Sequence, residues 1–125
     1  MKNIDSDIKD LNLEPIAYKI VVEEGWDVEK VDCVEWEYRA YLQLIRTKEK
    51  DESIAPSRDV DTFWHYHILD TQKYMIDCNQ LFGCYIHHFP YAGLSGEESV
   101  KEQHERGVKT AKQIQSLLKI EEAAA

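Results

Sequence analysis

The sequence predicts an all-α fold, a compact bundle of about five helices with one ordered loop rich in aromatic and histidine residues. Three observations predict it. Apolar residues recur at three- and four-residue spacing over long stretches. Gly and Pro occur singly, as punctuation. Side chains suited to helix N-caps stand at the start of several periodic stretches.

Met1 to Leu13 reads as a partly ordered lead-in. A first helix starts near Pro15, whose missing N–H does no harm at the first helical position. It carries Ile16, Ile20 and Val21 along one side and stops at Gly25. Asp27 is a good N-cap for a longer second helix reaching toward Lys48. In that helix Val31, Val34, Tyr38, Tyr41, Leu42 and Ile45 form one stripe, and their periodicity outweighs the strand leanings of several of them. The charged run Thr47 to Ser57, with Pro56, is a surface loop.

A third helix spans roughly Val60 to Leu69, capped by Ser57 or Asp59. A fourth runs from Gln72 to Phe82, capped by Asp70 or Thr71 and ended by Gly83. Cys84 to Leu94 lacks helical periodicity, and Pro90 pushes Phe89 toward an extended backbone. Ser95 and Glu98 then match a capping box ahead of a fifth helix. Its inward stripe is expected to be Val100, His104, Val108, Ala111, Ile114 and Leu118.

A chain of 125 residues with 43% hydrophobic content supplies one core and hardly two. The expected organisation is the lead-in 1–13, a single helical domain 14–120, and a tail 121–125 whose three alanines are set aside as a possible vector remnant. Fifteen basic residues against twenty-four acidic ones give a formal charge of −9, which repels nucleic acid and anionic membrane. No segment has the apolar length of a membrane span, and the polar N-terminus lacks a signal-peptide layout. Three cysteines, Cys33, Cys78 and Cys84, do not favour a disulfide framework. These features point to the cytoplasm.

One ordered pattern runs through Pro56-Ser57, Val60-Asp61, Phe63 to Leu69, Tyr74, Asp77-Cys78, Phe82-Gly83, His87-His88 and Pro90-Tyr91. It resembles the conserved domain of the glycine-rich domain-containing protein-like family, in its short bacterial form. Gly25-Trp26 and Glu37-Tyr38-Arg39 extend the likeness, which covers most of residues 25–98. The resemblance implies the fold more than any reaction. Plant members of that family are linked to growth and stress responses and carry glycine-rich segments; this chain has five glycines, so those roles do not carry over.

The chemistry concentrates between Asp59 and Tyr91. Asp61 and His65, four residues apart on a helix, share a face, so the carboxylate can orient the imidazole or both can approach one cation. His67, about 200° further round at 3.6 residues per turn, points elsewhere, so either the helix distorts there or His67 has a separate task beside Trp64 and Thr71. In the extended loop Cys84, Ile86 and His88 share one side, and Tyr85, His87 and Phe89 the other. The expected metal ligands are therefore Asp61, His65 and one of His87 or His88, with Cys84 as a further candidate. Imidazole, carboxylate and thiolate suit zinc or another transition ion, with water in a fourth position.

A structural reading stands beside that one. Partly buried histidines usually satisfy hydrogen bonds, and the Trp64 ring fills the core while its indole N–H finds a carbonyl. Cys78 reads as core, and His104 as a core or boundary histidine, with a place beside the His87–His88 loop as an extra ligand the alternative. Three functions follow from these residues: a metal-binding module, a non-catalytic module that recruits a protein partner through Phe89 to Leu94, and a metal-free enzyme using Asp61, His65 and Cys84 as a thiol nucleophile. No nucleophile elbow, phosphate-binding glycine loop or Cys-x-x-Cys motif supports the last.

Overall fold

The computed structural model describes residues 3–124. Its elements are α1 (Ser6–Lys9), α2 (Glu14–Glu24), α3 (Val28–Thr47), α4 (Arg58–Leu69), α5 (Thr71–Phe82) and α6 (Glu97–Ala124), with no strand among the described residues. The all-α expectation holds. Caps fall where the sequence puts them: Asp27, Ser57 and Asp70 accept from the backbone N–H of Lys30, Val60 and Lys73. Gly25 and Gly83 end α2 and α5 with φ of 73° and 72°, a left-handed conformation that side chains resist.

The central helix is α3. It packs against α2, α4 and α6, while α4 also meets α2 and α5. Between them lies one apolar cluster in which Tyr38, Phe63, Tyr74 and Ile20 are almost wholly enclosed. Among the described residues no helix is long and apolar enough to cross a membrane.

The lead-in differs from expectation. Its first two residues lie outside the described range, but Ile4, Ile8 and Leu13 are buried in the core and Ser6–Lys9 forms the extra helix α1. Polar clamps explain why so short a segment is ordered. Arg39 donates to the carbonyls of Ile8 and Lys9, satisfying the end of α1. Arg46 donates to both Asp5 and Asp7 and to the Leu81 carbonyl, and its hydrogen bonds hold both carboxyls below their usual range. Gln43 brackets Asp5 through backbone and side chain. At the other end α6 runs through the expected tail to Ala124, and Glu121 accepts from Ile4 N–H at 2.9 Å. Ala125, the last residue of that tail, lies outside the described range.

The buried stripe of α6 is also rotated from the expected one. Val100 and Val108 are exposed, as are His104 and Ala111, whereas Ile114 is buried as expected and Leu118 packs against the core; Thr110 and Leu117 join them, with Gln103 and Arg106 partly covered above. Hydrophobicity misleads here because the upper half of α6 faces a polar cleft, not the apolar core. Thr110 marks the change. Its hydroxyl donates to the Arg106 carbonyl and accepts the Ala55 N–H, pinning the loop before α4.

Candidate metal centre

The site sits where α4 meets the loop that follows α5. Three side chains converge there. His88 Nε2 lies 2.5 Å from Asp61 Oδ1, His65 Nε2 lies 3.1 Å from His88 Nε2, and His65 Nε2 lies 3.4 Å from Asp61 Oδ2. Asp61 and His65 come from one face of α4, as their spacing predicts. Among the described residues this is the group of His, Cys, Asp and Glu side chains whose donor atoms could hold a metal ion.

The spacing of the donor atoms is informative. Around a tetrahedral zinc ion with bonds of about 2.0–2.1 Å, neighbouring ligand atoms stand about 3.3 Å apart. The two Nε2 atoms, 3.1 Å apart, already match, as does His65 Nε2 with Asp61 Oδ2 at 3.4 Å. His88 instead meets the other oxygen, Asp61 Oδ1, in a direct hydrogen bond, which must open for both rings and one carboxylate oxygen to share an ion. Two imidazoles can share such a close approach because a neutral ring carries one bare nitrogen, the same lone pair a cation would take.

Exposure is graded across the three. The His88 side chain is 14% exposed, Asp61 33% and His65 53%, so the loop histidine is the fixed member and His65 the open one. Trp64 holds His88 in place, with ring centroids 4.3 Å apart. His88 Nδ1 is buried without a hydrogen-bond partner among the described residues.

How the loop reaches this position depends on Tyr74 of α5. Its hydroxyl donates to the Ile86 carbonyl at 2.6 Å and accepts the Trp64 indole N–H at 2.9 Å. Burial raises the phenol pKa, so the donated proton stays in place. The expected indole partner was a carbonyl; the hydroxyl stands between the two and joins α4, α5 and the loop, two residues from His88. Nothing in the spacing of Tyr74 reveals this, since a tyrosine on an inward stripe reads as core.

His67, two residues after His65, faces the opposite way and is 1% exposed. Its Nδ1 lies 2.6 Å from the Tyr38 hydroxyl and its Nε2 lies 2.8 Å from Asp77 Oδ2, which Lys73 also meets at 3.1 Å. Burial lowers the His67 pKa more than the Asp77 carboxylate raises it. The neutral ring therefore donates from Nε2 to Asp77 and accepts the Tyr38 proton at Nδ1. This network is a second polar cluster, closed to solvent. Its one legible sign was a charge, Asp77, on the inward stripe Tyr74, Cys78 and Leu81.

The remaining candidates fall outside the convergent group. His87 packs against Tyr85, ring centroids 4.8 Å apart, on the other side of the extended loop. Cys84 is exposed and does not line the cleft beside Asp61, His65 and His88. It shares the His88 side by alternation, but four residues of extended backbone set it about 13 Å further along the chain. A thiolate acting with His65 therefore has no geometric support. Cys78 is buried, as expected, whereas Cys33 and His104 are exposed.

Asp61, His65 and His88 form part of the wall of a cleft of about 700 Å³. It is bounded by α3 and α4, the loop before α4, the aromatic loop and the upper half of α6.

Against known proteins, the UCP032817-like family model matches residues 9–119. That finding corrects the resemblance to the glycine-rich domain-containing protein-like family. The resemblance rested on short aromatic and histidine motifs within residues 25–98, whereas the match spans α2 to α5 whole and most of α6. No curated protein and no solved structure matches the chain.

Proposed function

We propose that this chain, which belongs to the UCP032817-like family, binds one divalent transition ion, zinc foremost, on Asp61, His65 and His88 and presents an open coordination position to the cleft. The observation that carries the reading is the approach of the two Nε2 atoms to 3.1 Å beside a shared carboxylate. Two imidazoles and one carboxylate are the donor set of open mononuclear zinc sites and also of non-haem ferrous ones; structural zinc sites take four protein ligands and close. The cytoplasm is the proposed setting, in keeping with three free thiols among the described residues.

Metal-ligating histidines usually donate their second ring nitrogen to an outer partner, and loss of such a partner costs 10- to 100-fold in affinity. His88 has none. We therefore expect a moderate affinity, Kd on the order of 1 µM. At about 100-fold excess over that value the ion adds about 2.7 kcal/mol of stability, raising Tm by about 10 °C. Calorimetric titration of tag-free protein with zinc should give one ion per chain. No stoichiometric uptake together with an unmoved Tm would end the proposal.

Tyr74→Phe tests the clamp. The substitution leaves the Trp64 N–H and the Ile86 carbonyl without their shared partner, costing about 2 kcal/mol of stability. Because Ile86 precedes His88 by two residues, the zinc Kd should also rise about tenfold. An unchanged Kd in the variant would mean that Trp64 alone positions His88.

A second reading is a protein-interaction module, favoured by Phe89, Tyr91 and Leu94, which are 68%, 64% and 72% exposed on the same loop. A folded chain that takes up no metal would favour it.

A further inference from the structure

We propose that the cleft takes a small organic anion, a carboxylate or phosphate monoester, whose charged head completes the coordination of the ion and pairs with Arg58. The inference rests on the metal reading and adds the class of ligand.

Charge is the first support. The chain carries −9 overall, yet Lys48, Arg58 and Arg106 line this cleft against two acids, Glu52 and the ligand Asp61. Glu52 faces Lys109 at 3.9 Å and caps the Glu49 N–H. A divalent ion on neutral imidazoles and one carboxylate leaves the centre with an excess positive charge, which an anion neutralises.

Position is the second. Arg58 precedes Asp61 by three residues and His65 by seven, so all three stand on one face of α4, and all three line the cleft. Arg58 is exposed and makes no ion pair among the described residues, whereas Lys30 takes its neighbour Asp59. Arg106 approaches from α6, oriented by two hydrogen bonds to Gln103 Oε1 and already facing Glu102 at 3.9 Å, which leaves Arg58 as the open guanidinium. A guanidinium presents a planar fork suited to a carboxylate or phosphate.

Size and lining make the anion organic. A space of about 700 Å³ is far larger than an inorganic oxyanion needs and falls within the usual range for small-molecule sites. Phe89 and Tyr91, in edge-to-face contact at 5.6 Å, supply apolar surface at its rim for a carbon body.

The test uses the full chain loaded with cobalt(II), whose visible bands report its ligands. Benzoate and phenyl phosphate are the probes, with benzyl alcohol as the neutral control. A saturable change with either anion and none with the alcohol is expected, and which anion acts tells carboxylate from phosphate. In Arg58→Gln the cobalt titration should match wild type while the anion dissociation constant rises about tenfold, the loss of one charge-assisted hydrogen bond. Lys48→Met provides a second variant with a smaller rise in the same direction. Cobalt bands indifferent to both anions would overturn the inference alone, as would an Arg58→Gln response equal to wild type. A chain that takes up no cobalt overturns both this inference and the metal reading beneath it.

Discussion

His67→Leu is expected to cost about 3 kcal/mol of unfolding free energy, the upper end for losing a buried hydrogen bond to a charged group. Leucine nearly conserves volume, so the loss comes from the hydrogen bonds and not from a cavity. It leaves the Tyr38 hydroxyl without its shared acceptor and Asp77 with Lys73 alone, in a space nearly closed to water. Against a typical domain stability of 5–15 kcal/mol the protein still folds. Urea denaturation measures the change, and a loss below about 1 kcal/mol would sink the account.

Acidity should act through the same residue. Folded His67 titrates below the ordinary histidine value of about 6.5, because burial disfavours its charged form. As pH falls, the unfolded chain takes up its proton first. The contribution to stability is therefore complete above about pH 6.5 and is lost as the pH drops toward the folded value. Wild-type Tm should decline over that window. In His67→Leu this component of the decline should vanish, whereas an equal slope in both proteins would place the acid sensitivity elsewhere.

The two clusters show where sequence reasoning reaches. Helix positions and caps were legible because each depends on neighbours within four residues: Asp27, Ser57, Gly25 and Gly83 act as their types require. The Asp61–His65 half of the centre was legible for the same reason. The partner histidine was narrowed to His87 or His88, and the backbone path set by Tyr74 and Trp64 selects His88. That choice depends on residues 10 to 24 positions apart in the chain, which periodicity does not couple. The order of residues 4–13 was hidden likewise, since Ile4 and Ile8 sit among charges and become core only through Arg39, Gln43 and Arg46 of α3. In α6 the failure has a different cause. A helix that is half core and half cleft wall carries two inward patterns, and the apolar stripe traces only the core half, at Ile114 and Leu118.

The sharpest test of the centre separates a ligand cluster from a hydrogen-bond cluster. Both readings use the same three residues, but they place the effect of a substitution in different states. If Asp61 merely fastens the loop through His88, Asp61→Asn and His88→Gln should destabilise the metal-free protein and have no other consequence. If the three are ligands, the metal-free stability of Asp61→Asn should change by less than about 1 kcal/mol, since Asp61 is a third exposed and exposed polar pairs contribute little. The loss then falls on binding. His88→Gln should raise the zinc Kd about 1,000-fold, or about 4 kcal/mol, because the ring held against Trp64 loses no further freedom when it ligates. Asp61→Asn should follow closely, removing the one anionic donor. His65→Ala should cost less, about 100-fold, since an exposed ring must be immobilised on binding and water can take its place. The order His88, Asp61, His65 is thus the order of burial. Equal losses at all three would contradict the graded site, and losses confined to the metal-free protein would return the cluster to a purely structural role.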